Sequence, residues 1–240
     1  MYHHMILICS DFTSGKRIAF YQTYGDALTS IEFKKYTKYF KEKFENVRLS
    51  FHHITTESKD YISIAEYDSY FDNVEFYSDI DEFEEQISKS MKITPEDIAK
   101  YILIKGKFDK LQIQKLVFLV YSEYALRYGK PLFLEEFQAW QYGPVMPRLY
   151  YELDKYKKEK IEFKDIDLEK MKLKLKLSRV DKVEEILSCI DDVILKYGSK
   201  KGGELIDITH VKGSPWEVTE KEKGLYSVIS WELIKNYDLI

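Results

Sequence analysis

Histidine and cysteine are the residue types in this chain that most often hold metals or carry catalysis. His52 and His53 are neighbours in a segment with strand-like alternation, so their side chains point to opposite faces and do not ligate one ion together. Cys9 and Cys189 are far apart in sequence, and no HExxH or CxxC spacing accompanies them. We therefore predict a protein with two reduced thiols and no metal or other cofactor.

His210 is the best single candidate for a functional side chain. It follows Thr209 at the expected end of a helix and precedes the turn into Pro215-Trp216. Two alternatives remain open for it. It caps helix carbonyls or bonds the turn, or it makes a partner or acid–base contact together with a nearby carboxylate. Because no nucleophile motif is placed beside it, we predict that the chain is not an enzyme.

An aromatic turn is the second candidate site, and we call it the aromatic elbow. It consists of Trp140, Tyr142, Gly143 and Pro144, with Arg148 close behind in the sequence. Trp and Tyr next to Arg are typical of the hot spots of protein interfaces. The alternative is that the aromatic side chains belong to the core. Gly143 is expected to adopt a backbone angle, or to allow a close approach, that a Cβ would hinder.

Charge is unevenly distributed along the chain. Ten acids and no Lys or Arg occupy residues 60–86, although the net charge of the whole chain is only −4. A solvated face is one reading of this stretch, and a contact for a basic partner is the other, because complementary charge accelerates association. The residues that we assign to this contact form an acidic quartet: Asp79, Asp81, Glu82 and Glu85.

Two regions must position these residues. Residues 1–90 alternate between strand-like and helical patterns, with Tyr61–Tyr67 read as a strand, and predict a small mixed α/β domain. Residues 91–240 predict a mainly helical domain, so that the fold class is α+β. Its central helix is expected over Asp109–Tyr128, where apolar residues surround most of the cylinder.

Local signals place further elements in the second region. Thr94 followed by Pro95 predicts a helix start, and Pro144 with Pro147 predicts another. Lys170–Leu177 alternates lysine with apolar residues, which predicts a short β element with its lysines directed outward.

Several functional classes are disfavoured by composition. The longest apolar runs are too short to cross a membrane, and the N-terminal apolar segment is too short for a signal peptide. We therefore expect a cytoplasmic protein. A sequence pI of about 5.8 and lysines interleaved with acids do not favour nucleic-acid binding.

Several short motifs occur in an order that identifies a family resemblance. They are Gln114-Lys115-Leu116, Gly129-Lys130-Pro131-Leu132, Phe137 to Val145, Leu205 with Thr209-His210, and Ser214-Pro215-Trp216. In order and spacing they resemble the Panacea domain, also called the SocA-like antitoxin domain. The resemblance covers about Ile93 to Ile240, and residues 1–90 resemble no family that we can name.

The resemblance implies an antitoxin or adaptor role. Members of this family are typically encoded beside a toxin, which they neutralise by direct binding or by delivery to a cellular protease. For this chain it implies a protein partner, contacted by Lys115, the aromatic elbow, Arg148, His210 and Trp216. The N-terminal extension leaves open a phage or prophage protein that binds a host factor, and an enzyme using His210 is the remaining alternative.

Overall fold

The computed structural model describes residues 1–11, 14–25, 30–157 and 159–238. The chain forms two compact units. Unit 1 comprises residues 1–92 and 175–181, and unit 2 comprises residues 93–174 and 182–240. Unit 1 contains a mixed sheet and unit 2 is mainly helical with a small second sheet, so the predicted α+β class is confirmed.

Unit 1 is built on a four-stranded sheet. Its strands are β1 (Tyr2–Asp11), β2 (Lys16–Tyr24), β3 (Ser50–Thr56) and β4 (Val74–Tyr77). They lie in the order β3-β1-β2-β4. The strand β1 is antiparallel to both of its neighbours, and β4 is parallel to β2. The helices of this unit are α1 (Ser30–Lys43), α2 (Ile62–Tyr67) and α3 (Ile80–Ser90), with a 3-10 turn at Ser69–Phe71.

Apolar side chains cover both faces of this sheet. One face carries a core that includes Met5, Leu7 and Phe20. The other face carries a core that includes Ile6 and Ile8. Because successive residues of a strand point to opposite faces, the apolar run of β1 supplies both layers.

Unit 2 contains most of the helices. They are α4 (Pro95–Lys105), α5 (Lys110–Tyr128), α6 (Pro147–Leu153), α7 (Ile166–Leu177), α8 (Val183–Tyr197), α9 (Gly202–Thr209), α10 (Pro215–Lys223) and α11 (Trp231–Lys235). A 3-10 turn occupies Asp154–Tyr156, and a two-stranded sheet consists of β5 (Gln138–Trp140) and β6 (Gly143–Val145). The last three residues of α7 belong to unit 1.

The central helix predicted from the sequence is α5. The Asp109 side chain accepts the Gln112 N–H at 2.9 Å, and the Gln112 side chain accepts the Asp109 N–H at 3.2 Å. This reciprocal cap fixes the start of the helix, and Gly129 ends it in the left-handed conformation at φ 64°. Its side chains are buried around most of the circumference, as predicted.

The predicted start of α4 is also confirmed. The Thr94 hydroxyl accepts the Asp97 N–H at 3.2 Å, and the Asp97 carboxylate accepts the Thr94 N–H at 3.0 Å. Pro95 occupies the first helical position, where its missing N–H costs nothing.

The β element predicted at Lys170–Leu177 is wrong, because this segment lies in α7. Leu, Lys and Met are good helix formers and none is β-branched, so helix propensity prevailed over the alternating pattern. The outward direction predicted for the lysines also fails at Lys176, which is buried and donates to the Ser90 carbonyl at 2.6 Å. The short β element of this region is instead the β5–β6 pair.

The strand predicted at Tyr61–Tyr67 is likewise wrong, since these residues form α2. The Asp60 carboxylate accepts the Ile62 N–H at 3.0 Å, and this bond turns the chain into the helix. Among the described helices of both units, none combines the length and the apolar character needed to cross a membrane.

Candidate partner-binding site

The aromatic elbow is a β-hairpin. Trp140 in β5 faces Gly143 in β6, which leaves Gln141-Tyr142 as the turn. Residues 226–228 run along the other side of β5, where the Tyr226 N–H donates to the Ala139 carbonyl at 2.7 Å. The hairpin is therefore not a free loop, because a third backbone segment pairs with it along the other edge of β5.

Pro144 lies within β6, so the helix start predicted there is wrong. Pro147 occupies the first helical position of α6. A proline has no N–H to donate, and it therefore fits an edge strand as well as it fits a helix start.

Helix α5 holds the hairpin through two buried polar side chains. The Lys115 ammonium donates to the Pro144 carbonyl at 3.0 Å. The Gln114 side-chain carbonyl accepts the Met146 N–H at 2.9 Å. Both side chains are buried, so removing either would leave an unpaired backbone group in the interior. The Gln-Lys-Leu motif thus clamps β6, with Leu116 in the core.

Gly143 allows three polar groups to approach the hairpin. Its φ is 102°, a backbone conformation that residues with a Cβ rarely adopt. A Cβ at this position would lie 2.7 Å from Lys115 Nζ, 2.9 Å from Thr209 Oγ1 and 3.0 Å from His210 Nε2. Both the angle and the close approach expected for Gly143 from the sequence are present. The glycine makes the convergence of α5, β6 and the end of α9 sterically feasible.

Burial dominates the electrostatics of this convergence. It lowers the pKa of Lys115 to about 7. Burial, followed by the nearby charge of Lys115, also lowers the pKa of His210. His210 is therefore neutral at pH 7, while Lys115 titrates close to that pH.

His210 links the end of α9 to α10. Its ring stacks on the Trp216 ring with a centroid separation of 3.5 Å and an interplanar angle of 5°. Trp216 in turn donates its indole N–H to the Trp140 carbonyl at 2.8 Å. His210 Nε2 is buried and has no hydrogen-bond partner among the described residues. The stacking gives the His210 ring a packing role that differs from both alternatives, since its side chain makes no hydrogen bond to helix carbonyls or to the turn among the described residues.

A cleft of about 820 Å³ opens beside the hairpin. Its aromatic lining consists of Trp140, Tyr142, Tyr150 and Tyr226. The Trp140 ring centroid lies 4.9 Å from that of Tyr150 and 5.5 Å from that of Tyr226. Tyr142 is 60% exposed and Tyr226 is 62% exposed, so two large aromatic side chains stand at a solvent-accessible rim. We call this feature the aromatic cleft.

Three of the four charged side chains that line the aromatic cleft are paired, and the exposed Lys157 has no ion pair among the described residues. Lys110 lies 2.6 Å from the Asp154 carboxylate and 3.9 Å from the Tyr150 ring centroid. Asp109 is paired with Lys160 at 3.2 Å. The cleft can therefore hold apolar or aromatic groups, for which rigid Trp and Tyr side chains supply contact area at low entropic cost.

Arg148 and Asp79 of the acidic quartet have local partners. Arg148 lies 3.0 Å from Glu96 and 3.2 Å from Glu135, so it ties α6 to α4 and to the segment before β5. In unit 1, Asp79 caps α3 by accepting the Asp81 and Glu82 N–H groups at 2.8 and 3.0 Å. Asp79 thus has a structural role that the sequence reading did not assign to it.

Glu85 is the member of the quartet with a direct ion pair. It lies 2.8 Å from Lys89 on the exposed surface of α3. The side-chain hydrogen bond to Lys89 lowers the pKa of Glu85, so its negative charge persists at neutral pH. The contact of the quartet with a basic partner stays a prediction.

Sequence reasoning missed two cleft residues, Tyr150 and Tyr226. Tyr226 has φ 67°, which is unusual for a residue other than glycine, and it lies in a segment without periodic pattern. No sequence signal placed it beside Trp140. Tyr150 could be predicted beside the elbow only if Pro147 had been identified as the first residue of α6. The position of that first residue determines which face of α6 packs against the hairpin.

No metal centre is formed by the part of the chain that the structure describes, where no three His, Cys, Asp or Glu side chains lie together in a way that could hold an ion. Both cysteines are buried and free. Burial raises the pKa of Cys9 to about 12 and that of Cys189 to about 11, so both thiols are protonated at neutral pH.

Comparison with known proteins gives a family match in the same region. Residues 113–217 match the model of the family described as antitoxin SocA-like, Panacea domain. The chain is 29% identical over 118 residues to Antitoxin SocA from Caulobacter vibrioides. This similarity covers 48% of the chain and 61% of that protein, so the chain spans less than two thirds of the relative's length. No solved structure matches significantly.

The matched region contains most of the site. Lys115, the aromatic elbow, Arg148, His210 and Trp216 all lie within residues 113–217. The acidic quartet and Tyr226 lie outside this range.

Proposed function

We propose that this chain is an antitoxin-like protein that neutralises a toxic partner protein by binding it through the aromatic cleft, in the cytoplasm. One observation carries the proposal. The separated motifs of the matched region converge on one hairpin, and the exposed Tyr142 of that hairpin stands with Tyr226 at the rim of a cleft. A segment that served only to pack the core would not need to expose aromatic side chains at the rim of a cleft.

The chemistry of the site supports binding rather than catalysis. His210 does not line the aromatic cleft, and its ring stacks on the Trp216 ring. Lys110 and Asp109, which do line the cleft, are engaged in ion pairs. The described residues of the cleft thus offer mainly aromatic surface and paired charges, with Lys157 as an additional cation. Such a lining suits recognition of a largely apolar protein segment.

Two modes of neutralisation are consistent with such a surface. In the first, binding alone blocks the toxin. In the second, the chain delivers the toxin to a cellular protease. A host factor bound by a phage or prophage protein is the third form of the same binding reaction, and it differs only in the identity of the partner.

A co-expression assay tests the proposal. The protein encoded beside this chain is induced in bacteria alone and together with the chain, and growth is recorded. Wild type is expected to restore growth, whereas a Tyr142→Ala, Tyr226→Ala variant is expected to fail because both rim anchors are lost. Tyr67→Ala provides a matched control, since Tyr67 is 70% exposed and lies in unit 1.

The same assay separates the modes. Rescue that persists in a strain lacking its ATP-dependent proteases indicates direct neutralisation, and rescue that is lost there indicates delivery. A neighbour that is harmless when induced alone contradicts the antitoxin role. In that case capture of a host protein, with the same dependence on Tyr142 and Tyr226, is the remaining form of the proposal.

A further inference from the structure

A second pocket, of about 310 Å³, lies in unit 1 and is lined by basic and polar side chains. Three arginines contribute to it: Arg17, Arg48 and Arg179. They come from β2, from the segment before β3 and from the segment after α7. None of the described lining residues is Asp or Glu, although this unit contains the stretch with ten acids and no base. We call it the arginine pocket.

Strand register explains why the polar groups meet. Ser10 in β1 faces Arg17 in β2, and Ile8 in β1 faces Ser50 in β3. Facing residues on neighbouring strands share a face of the sheet, and residues two apart in one strand do so as well. Ser10, Arg17 and Ser50 therefore lie on one face at one end of the sheet.

The arginines are arranged at different depths. Arg179 is only 5% exposed, and its Nη1 donates to the Ser10 carbonyl at 2.7 Å. Arg17 donates from Nη2 to the Asp72 carbonyl at 2.9 Å and lies 4.9 Å from the Tyr70 ring centroid. Arg48 is exposed. These contacts fix Arg179 at the base and orient Arg17, which leaves Arg48 at the mouth.

The surroundings of Arg179 shift its pKa in both directions. Burial lowers the pKa of Arg179, and the positive charge of Arg48 lowers it further. The negative charge of Asp11 acts in the opposite direction. The described lining of the pocket thus carries three guanidinium groups and no carboxylate, a charge pattern that suits an anion.

We propose that the arginine pocket binds a compact phosphate-bearing ligand, either inorganic phosphate or a small phosphate monoester. Guanidinium groups donate paired hydrogen bonds that match phosphate oxygens, and the hydroxyls of Ser10 and Ser50 add neutral donors. The volume is at the low end of the range for ligand sites, which suits a small ligand. Cys9 stays protonated because its pKa is raised to about 12, so the site binds and does not attack the ligand.

Titration calorimetry on the full chain tests this site with three probes: inorganic phosphate, 5′-AMP and a short single-stranded oligonucleotide. Arg48→Gln and Arg17→Gln remove one donor set each, while Arg179 is left intact because it is part of the packed interior. Lys41→Gln is the matched control, since Lys41 is an exposed base in α1 of the same unit and does not line the pocket.

The proposal predicts saturable binding of phosphate or 5′-AMP that each arginine variant weakens by about tenfold or more. Lys41→Gln should bind like wild type. Tighter binding of 5′-AMP than of phosphate identifies an organic monoester as the ligand, and equal binding identifies the phosphate group alone.

Three outcomes overturn the proposal. They are the absence of binding at millimolar concentrations in low salt, equal effects of the arginine variants and Lys41→Gln, and an oligonucleotide bound at least tenfold more tightly than 5′-AMP. Circular dichroism of each variant ensures that a lost signal reflects the site and not the fold. Leu175, Ser178 and Arg179 of the pocket lie within the matched family region, but the arginine pocket and the aromatic cleft share no lining residue. None of these outcomes therefore bears on the antitoxin-like role.

Discussion

Replacing Lys115 by methionine should remove a pH dependence from the stability of unit 2. Lys115 is fully buried, and burial lowers its pKa to about 7 in the folded chain. An unfolded lysine titrates near pH ~10.4. Between these two values the unfolded chain binds more protons than the folded chain, so the free energy of unfolding rises with pH. Below this window both states are protonated and the full cost of burying the charge persists.

The size of the effect follows from the same two pKa values. Linkage predicts that wild type gains about 2 kcal/mol in unfolding free energy between pH ~7 and pH ~9 from this group alone. Lys115→Met keeps a long apolar side chain but has no proton to gain. At neutral pH the two proteins are expected to differ by less than about 2 kcal/mol, because the removal of a buried charge is offset by the Pro144 carbonyl that loses its donor.

Urea unfolding followed by tryptophan fluorescence measures this directly. The three tryptophans, Trp140, Trp216 and Trp231, all lie in unit 2, so the signal reports on the relevant unit. Lys223→Met is the matched control, because Lys223 is an exposed lysine of the same unit. A stability difference between wild type and Lys115→Met that stays constant across the window would refute the reasoning.

Three further perturbations test the fold, the elbow and the acidic quartet. Leu116→Ala should cost about 2–5 kcal/mol in a denaturant melt, since Leu116 is fully buried in α5, and a loss below about 0.5 kcal/mol would contradict its core position. Gly143→Val should cost about 2–4 kcal/mol and abolish rescue of growth, whereas Gly203→Ala, where a Cβ meets open space, should do neither. Replacing Asp81, Glu82 and Glu85 by lysine, with the capping residue Asp79 retained, should slow association with a basic partner several-fold at low salt. Equal association rates of the variant and wild type in stopped flow would show that the quartet does not contribute to binding. Elemental analysis of untagged protein is expected to find no stoichiometric zinc.

Local chemistry explains which elements could be predicted from the sequence. The starts of α4 and α5 follow from side chains that accept N–H groups within one turn, so Thr94 and Asp109 carry their own signal. Gly143 could be predicted to matter because a glycine between an aromatic turn and a proline indicates a backbone angle or a close approach that a Cβ would hinder. Lys170–Leu177 was misread because alternation describes a strand, whereas helix propensity and burial of Leu173 and Leu177 decided the outcome.

The site itself depended on contacts between distant parts of the chain. Lys115, Gly143 and His210 meet because α5, β6 and the end of α9 pack together, and no spacing in the sequence encodes that meeting. Tyr226 reaches the aromatic cleft because the segment around it pairs with β5 through backbone hydrogen bonds, including its own bond to Ala139. The arginine pocket escaped sequence reading for the same reason, since its three arginines are separated by most of the chain.

The affinity of the purified chain for the toxic protein encoded beside it tests the central claim most directly. We predict a saturable complex whose Kd rises at least about tenfold in the Tyr142→Ala, Tyr226→Ala variant, because exposed aromatic anchors at a cleft rim carry much of the binding energy. Tyr67→Ala should bind with the wild-type Kd. Equal Kd values for all three proteins, with the fold retained, would contradict binding through the aromatic cleft.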